Sequence, residues 1–379
     1  MKRILIIAGE VSSDMHAANL VNDIRSLDKD MSFFGLGGER MQASGIKLLE
    51  NIVHLAFIGP GGLFKSYIAL KNIYNSLIKH ICDDPPDCAI LIDYAEFNLR
   101  VARELKKLGV PIIYYISPQV WAWGLWRINT IRRLVDKMLV FFEFEEKLYT
   151  KHGVDTTFVG HPLLNIVKPT ESKDEVLKRL SIDKDAKIVG ILPGSRISEI
   201  KTILPIMLDS AKLILQRYKQ EQIEFVLPLA STIDEEYIRG IISKTKINIK
   251  IIKSDVYNAI SICDCAVVTS GTATLETAVL NVPMAIVYKT NFLTYILTKN
   301  VIKLPFIGLV NIVAGEKIVP EFLQYQARPD SIAEYIVSLL KDKNILSSIK
   351  EKFAKIKDSL GEPGASRRAA SEIVKFLQP

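Results

Sequence analysis

Two stretches in the second half of the chain place hydroxyl, glycine and charged residues directly after an apolar run. "LPGSR" fills positions 192–196 at the end of one run, and "SGTATLE" fills positions 270–276 after another. Backbone N–H groups at a helix N-terminus bind anions, and glycine lets a phosphate approach the backbone closely. The stretches predict a phosphate and sugar site formed by Arg196, Ser270, Gly271, Thr272 and Glu276.

Each residue of this predicted site also has an ordinary structural interpretation. Ser270 or Thr272 would serve as a helix N-cap, and Glu276 as an acid favoured by the helix dipole. For Glu276 the residues alone leave both interpretations open. Arg196 favours an anion site, because a cation at a helix start is electrostatically unfavourable and guanidinium matches phosphate geometry.

In a third stretch, "LIDYAEFN" at 91–98, acidic residues directly follow an apolar run. Asp93 comes first after the run, where a carboxylate can act as a general base on a hydroxyl. Glu96 is a second candidate. The alternative for both is a role at the start of the next helix, and it competes more strongly for Glu96.

Aromatic and basic residues suggest a second substrate surface in the first half. "YISPQVWAWGLWR" at 115–127 puts Trp121 and Trp123 in a loop-like stretch with Arg127 at its end. We interpret it as a wall against a bulky amphipathic substrate, with Arg127 available for a phosphate, against the alternative of core packing. His161, in "FVGHPL", is interpreted as a hinge or substrate-contact residue, although a lone histidine is more often structural.

The chain lacks the sequence motifs of several enzyme classes. The chain contains no HExxH, GxxxxGK[ST] or GxSxG, and the segment after the first apolar run lacks the GxGxxG of dinucleotide sites. No acidic pair has a convincing DxD setting, so neither a metal nor a cofactor is predicted. The four cysteines form no CxxC pair and predict reduced thiols in a cytosolic protein.

The elements that must position these residues alternate along the whole chain. Apolar strand-like runs alternate with helical patterns such as 15–27 and 98–108, which predicts parallel sheets covered on both faces. The predicted strands are 3–8, 32–36, 88–92, 111–116, 137–140, 157–159, 187–192, 224–227, 247–252, 265–268 and 284–288. With 379 residues, the chain is long enough for two doubly wound α/β domains. We predict a joint near His161, domains at 1–163 and 164–350, and a site in the cleft between them.

The segment 59–81 predicts an amphipathic helix. Leu63 and Tyr67 begin a series at three- and four-residue spacing, Phe64 widens the apolar face, and lysines add charge. Such a helix can lie in a membrane interface or pack on the sheet, and we keep both interpretations. The net charge of +7 is compatible with anionic small molecules, nucleic acid or a membrane surface.

Taken together, the motifs resemble the lipid-A-disaccharide synthase family of bacterial glycosyltransferases, over nearly the whole length. The motifs that carry the resemblance, in chain order, are "GEVSSD" at 9–14, "IDYAEFN" at 92–98, "YISPQVWAW" at 115–123, "FVGHP" at 158–162, "LPGSR" at 192–196, "SGTATLE" at 270–276 and "LVNIVAGEKIVPEFLQ" at 309–324.

The resemblance implies a GT-B fold of two Rossmann-like domains, with a C-terminal helical segment at 351–379 returning toward the first. It implies transfer from UDP-2,3-diacylglucosamine to 2,3-diacylglucosamine 1-phosphate, by an enzyme of the cytoplasm peripherally associated with the inner membrane. Asp93 would be the catalytic acid/base residue, and Asn311 would join the UDP site. Ser13, Asp14, Trp121, Trp123, Arg127 and His161 are assigned to the acceptor side.

Two rival functions and one open question accompany this interpretation. A nucleotide-sugar epimerase of similar fold would use the same nucleotide site without a lipid acceptor, and a non-catalytic lipid or nucleotide carrier would need no base. No nucleic-acid partner is predicted. Whether the chain forms a homodimer is left open.

Overall fold

The computed structural model describes residues 1–53, 63–290 and 305–378, without the side chains of 63–67 and of Trp123. The predicted membrane contact at Leu63, Phe64 and Tyr67 lies outside the described side chains and stays a prediction. Within the described ranges, no helix combines the length and the apolar character that crossing a bilayer requires.

The chain forms two compact units. The first comprises Met1–Pro162 together with Leu360–Pro379, and the second comprises Leu163–Ser359. The division therefore falls one residue before the predicted boundary. Of the predicted returning segment 351–379, only the part from Leu360 belongs to the first unit.

Seven parallel strands form the sheet of the first unit, in the order β3-β2-β1-β4-β5-β6-β7. The central strands are apolar and buried on both faces, as parallel sheets covered by helices require. The strands are β1 (Lys2–Ala8), β2 (Met31–Gly37), β3 (Lys47–Asn51), β4 (Cys88–Ile92), β5 (Ile112–Tyr115), β6 (Lys137–Val140) and β7 (Thr156–Phe158).

Helices numbered along the chain surround this sheet, and a short 3₁₀ helix spans Leu125–Arg127. The last helix of the chain packs against the first, and within it Arg368 donates from Nε to the Val159 carbonyl at 2.8 Å. The helices are α1 (Val11–Leu27), α2 (Glu39–Ala43), α3 (Leu63–Asp83), α4 (Ala95–Lys107), α5 (Val120–Trp123), α6 (Ile128–Leu134), α7 (Glu143–Lys151) and α17 (Ala365–Leu377).

Six parallel strands form the sheet of the second unit, in the order β10-β9-β8-β11-β12-β13. Its strands are β8 (Lys187–Leu192), β9 (Ile223–Leu229), β10 (Ile249–Lys253), β11 (Cys265–Thr269), β12 (Met284–Tyr288) and β13 (Glu321–Leu323). Its helices are α8 (Leu163–Ile166), α9 (Lys173–Arg179), α10 (Ile197–Arg217), α11 (Glu235–Ile242), α12 (Val256–Ser261), α13 (Thr272–Val279), α14 (Leu309–Ala314), α15 (Pro329–Lys341) and α16 (Lys343–Ser359), with a 3₁₀ helix at Gln324–Gln326.

The two sheets share one topological feature. In the first the strand order reverses between β1 and β4, and in the second between β8 and β11. Ligands of open α/β sheets bind beyond the carboxyl ends of the strands at this switch point. The prediction of two doubly wound α/β units is confirmed, and each unit has one such position.

Candidate active site

The switch point of the second unit brings the two predicted phosphate-binding stretches together. Leu192 in β8 lies beside Val268 in β11, so both strands end at the same edge of the sheet. The segment 193–196 then leads into α10, and Ser270 and Gly271 lead into α13. Two helix N-termini therefore point their unpaired N–H groups toward the same edge.

A cavity of about 380 Å³ opens at this edge, and Arg196, Ser270, Gly271, Thr272 and Glu276 all line it. Gly271 has a φ of +155°, which favours glycine, and a Cβ at this position would meet no atom within 4 Å. The backbone is therefore open to a close ligand. Apolar residues that sequence reasoning missed complete the wall: Pro228, Ala230, Val256 and Ile260.

Glu276 is a half-buried carboxylate in this wall. It has no hydrogen-bond or ion-pair partner among the described residues. Burial raises its pKa above the ordinary value. The ligand contact proposed for Glu276 stays a prediction.

Arg196 occupies the N-cap position of α10, and its side chain is 77% exposed. Its Nη1 donates to Glu199 Oε1 at 2.8 Å. Sequence reasoning missed Glu199, one turn into the helix on the same face. An exposed pair of this kind contributes little stability, so the guanidinium can exchange its partner for a phosphate at low cost.

Asn311, the last residue predicted for this site, lies elsewhere. It is fully buried and does not line the cavity. Its amide donates to the Val319 carbonyl and to Glu321 Oε1 and accepts from the backbone N–H groups of Ile318 and Val319. Every polar atom of the side chain is used within the fold, so Asn311 fixes the segment before β13.

Asp93 follows β4 at the switch point of the first unit. Ile92 lies beside Ala8 of β1, so Asp93 and Gly9 leave the sheet side by side. Asp93 and Tyr94 both have left-handed backbone conformations, with φ of +48° and +45°, which are strained for such residues. Strain held at a strand end is typical of functional sites.

The strained turn is held by two buried side chains. Asn98 donates from Nδ2 to the carbonyls of Ile92 and Asp93, and the Tyr114 hydroxyl donates to the Asp93 carbonyl. Asn98 therefore has a positioning role.

Glycine is required at position 9 for a related reason. A Cβ on Gly9 would overlap the ring of Tyr94, so no larger residue fits without displacing the aromatic side chain next to Asp93.

The environment of Asp93 makes it a stronger base. Burial, and secondly the negative charge of Glu10, raise its pKa from 3.8 to about 6, although a hydrogen bond from the Tyr94 N–H opposes the shift. At neutral pH the carboxylate is still largely ionised. A general base works best with a pKa close to the operating pH, so this position suits proton removal from a hydroxyl.

Ser13 and Asp14 have structural partners. The Ser13 hydroxyl accepts from the Glu10 N–H at 2.9 Å and donates to the Glu10 carbonyl at 3.0 Å, which caps the start of α1. Asp14 is buried and accepts from the backbone N–H groups of Gly38, Arg40 and Met41, which caps α2. The structure uses the polar atoms of both residues within the fold, in place of the predicted acceptor contact.

Trp121 and Arg127 also differ from the prediction in detail. Trp121 donates from Nε1 to Glu145 Oε1 at 3.0 Å. Arg127 pairs with Glu96, the second base candidate, which is 69% exposed. Arg127 is therefore already engaged by a carboxylate. For Trp123 only the backbone, at the end of α5, is described.

Glu145 was missed by sequence reasoning and fixes the tryptophan stretch. It is 4% exposed and accepts from the Ser117 hydroxyl at 2.7 Å as well as from Trp121. Burial raises its pKa to about 7, although these hydrogen bonds oppose the shift. Its position within the glutamate-rich segment after β6 carried no signal that one of these acids is buried.

His161 lies among aromatic rings, 5.3 Å from Phe141 and 4.9 Å from Phe142 between ring centroids. Burial, and secondly the nearby His16, lower its pKa to about 3, so the imidazole is neutral at physiological pH. Its backbone N–H donates to the Leu360 carbonyl at 2.8 Å. It therefore joins the end of the first segment to the returning one.

No cluster of three or more His, Cys, Asp or Glu side chains suited to a metal ion occurs in the described part of the chain.

Comparisons with solved structures match both units at once. A UDP-GlcNAc 2-epimerase from Neisseria meningitidis, bound to UDP-GlcNAc, has a TM-score of 0.63 at 14% identity, covering 98% of this chain and 100% of the other. The calicheamicin glycosyltransferase CalG4 has a TM-score of 0.62 at 13% identity, with 100% and 98% coverage. At such identities the likeness concerns the fold alone, which is of GT-B type.

Sequence comparison goes further. The family model described as lipid-A-disaccharide synthetase matches residues 4–374. The lipid-A-disaccharide synthase of Syntrophus aciditrophicus is 41% identical over 378 residues, covering 100% of this chain and 98% of the relative. The synthase of Geobacter sulfurreducens is 40% identical over 375 residues, with 99% and 97% coverage. With this identity maintained over the full length, the chain belongs to the lipid-A-disaccharide synthetase family of glycosyltransferases.

Proposed function

We propose that the protein is an inverting glycosyltransferase that joins UDP-2,3-diacylglucosamine to 2,3-diacylglucosamine 1-phosphate. The products are the β-1,6-linked disaccharide 1-phosphate and UDP. One observation of the structure supports the donor half most directly: five residues predicted for phosphate and ribose contacts line one cavity at the β8/β11 switch point.

In the proposed reaction Asp93 accepts the proton of the acceptor's 6-hydroxyl as its oxygen attacks the anomeric carbon of the donor. The new C–O bond forms on the face opposite UDP, and the bond to the diphosphate breaks with its electron pair leaving on UDP. Single displacement inverts the anomeric centre. The raised pKa of Asp93 supports this role because the carboxylate is basic yet ionised.

The second unit would hold and neutralise the leaving group. N–H groups at the starts of α10 and α13 face the cavity edge, and Arg196 adds a full positive charge. Glu276 would accept hydrogen bonds from the ribose hydroxyls, and the apolar wall around Val256 and Ile260 would receive the uracil ring.

Both substrates carry acyl chains, so the enzyme must meet a bilayer surface. We propose that α3 makes this contact, because the sequence gives it a broad apolar face bordered by lysines. Peripheral association with the inner membrane from the cytoplasm follows from this proposal.

One assay separates the proposal from its rivals. Purified protein is incubated with both substrates in detergent micelles, and disaccharide and released UDP are measured. A transferase forms the two in equal amounts. A nucleotide-sugar epimerase would change the donor sugar without using the acceptor, and a carrier would leave both substrates intact.

The charge of Glu10 provides a pH test of Asp93. Because Asp93 must be ionised to act as a base, kcat/KM should rise with pH up to about 6 and then level off. Glu10→Gln removes a negative charge that raises the Asp93 pKa, so the rising limb should move to lower pH. The shift should be smaller than the effect of burial, which is the larger cause.

The pH dependence of kcat/KM is the measurement, and Glu39→Gln, at an exposed carboxylate of the same unit, is the control. If the rising limb of the kcat/KM profile stays in place or moves to higher pH in Glu10→Gln, the titrating group is not Asp93.

A further inference from the structure

A second cavity lies in the first unit, and it is lined by none of the residues predicted from the sequence for phosphate binding. Its volume is about 690 Å³, and it lies between α3 and α4. Tyr94 lines it and directly follows Asp93 in the chain, so the wall of the cavity begins one residue beyond the candidate base. The side chains that line this cavity therefore indicate what kind of ligand binds next to Asp93.

Aromatic and aliphatic side chains form the apolar part of the cavity. Tyr74 of α3 meets Phe97 of α4 edge to face at 6.0 Å, and Phe97 stacks with Tyr94 at 5.6 Å. Leu70, one turn before Tyr74, continues this surface along α3. An alkyl chain is stabilised by each methylene that it buries on such a surface.

Positive charge borders the same cavity. Arg100 and Arg103 of α4 and Lys71 of α3 line it, and all three are exposed. None of the three pairs with a carboxylate in the ranges that the structure describes. Three cations around one cavity give it a positive potential, which favours binding of an anion.

The acids of the cavity do not neutralise these cations. Glu96 pairs with Arg127, and Glu104 pairs with Lys107 at 2.9 Å. Both carboxylates are thus engaged by cations outside the group of three.

The spacing along α4 fits a sugar phosphate. Arg100 is six residues beyond Tyr94, about 9 Å along the helix at ~1.5 Å per residue. In a hexose 1-phosphate the 6-hydroxyl and the phosphate lie on different sides of the sugar ring, so a phosphate near Arg100 is compatible with a 6-hydroxyl near Asp93.

We infer that this cavity binds the acylated sugar phosphate that accepts the transferred sugar. Its phosphate contacts Arg100, Arg103 and Lys71. One of its acyl chains contacts the apolar surface formed by Leu70, Tyr74 and Phe97. The inference rests on the proposed function and deepens it. It also replaces Arg127, which is paired with Glu96, as the predicted phosphate contact.

The test compares two acceptors and two variants in detergent micelles. The acceptors are 2,3-diacylglucosamine 1-phosphate and the same compound without its phosphate. The variants are Arg100→Gln/Arg103→Gln and, as a matched control, Arg132→Gln/Arg133→Gln, which removes two exposed arginines of α6 that do not line the cavity.

In the Arg100/Arg103 variant, kcat/KM for the phosphorylated acceptor should fall about 30-fold or more, since each lost charge-assisted hydrogen bond costs roughly tenfold. For the acceptor without phosphate the fall should stay within about threefold, because there is no phosphate contact to lose. The KM of the donor should not change. The control variant should stay within about threefold for both acceptors. Equal falls for both acceptors, or no fall, would overturn the assignment.

Two further measurements distinguish other causes. Sedimentation with phosphatidylglycerol vesicles tests a membrane lipid as the anion: lost vesicle binding with unchanged micellar kinetics would assign the arginines to the bilayer and overturn the acceptor site. If the wild type forms no disaccharide at all, the proposed function fails. Titration calorimetry with the phosphorylated acceptor then still decides the inference, which requires binding by the wild type and a loss in the variant.

Discussion

Asp93→Asn should lower turnover by about two to four orders of magnitude while UDP affinity stays within about twofold of wild type. The amide cannot accept the proton of the acceptor hydroxyl, but it has the shape of the carboxylate. Asparagine also tolerates the left-handed conformation that Asp93 adopts at φ +48°, so the strained turn should persist. Steady-state kinetics and titration calorimetry with UDP measure the two effects separately.

The same substitution should also affect the stability of the fold. Burial raises the pKa of Asp93 from 3.8 to about 6, so the ionised form is disfavoured in the folded state. This penalty is absent at pH values below about 4, grows as the pH rises through 6 and is fully present at pH 7. The neutral amide removes it, so the thermal midpoint of Asp93→Asn at pH 7 should equal or exceed that of the wild type.

Glu96→Gln is the informative comparison, because Glu96 is the other acid proposed from the sequence. It is exposed and paired with Arg127, so we expect its kcat to fall by less than about tenfold. Wild-type-like turnover in Asp93→Asn, or a larger loss in Glu96→Gln, would move the base assignment away from Asp93.

The sequence located these candidate residues because strand ends are readable from local pattern. A central parallel strand is a continuous apolar run, and β4, β6, β8 and β12 were predicted with their observed bounds. The residues directly after such strands, including Asp93, Arg196 and Gly271, can be identified as candidates from this position alone. Arg196 and Gly271 lie together because β8 and β11, which they follow, are neighbours in the sheet of the second unit.

The elements that were missed lie at the edges of the sheets. Strands β3 and β13 are half exposed along most of their length, so they lack the apolar run by which a buried strand is recognised. Their pairing depends on the neighbouring strand, and no local pattern encodes it.

The site residues that differed from prediction have partners distant in sequence. Asp14 caps a helix that starts 25 residues later, and Arg127 pairs with Glu96, 31 residues earlier. The predicted start of α1 at Met15 also left Asp14 outside the helix, whereas the structure begins it at Val11. A polar residue near a strand end is therefore a stronger site candidate when tertiary contacts leave its side chain without a partner.

Glu276 meets that condition. Glu276→Ala should weaken UDP binding by about 1 to 3 kcal/mol, or roughly 5- to 150-fold in Kd, the cost of losing charge-assisted hydrogen bonds to a ribose. Titration calorimetry with UDP measures the change. Glu334→Ala, at an exposed position of α15 in the same unit, should bind UDP as the wild type does.

Unfolding measurements separate this role from a structural one. Burial raises the pKa of Glu276, so its charge does not stabilise the unliganded fold at pH 7, and the penalty grows as pH rises above the unfolded value. Glu276→Ala should therefore keep the thermal midpoint of the free protein while reducing the increase that UDP produces. If Glu276 instead stabilises the helix, Glu276→Ala should have a lower thermal midpoint without ligand and a Kd for UDP equal to that of the wild type.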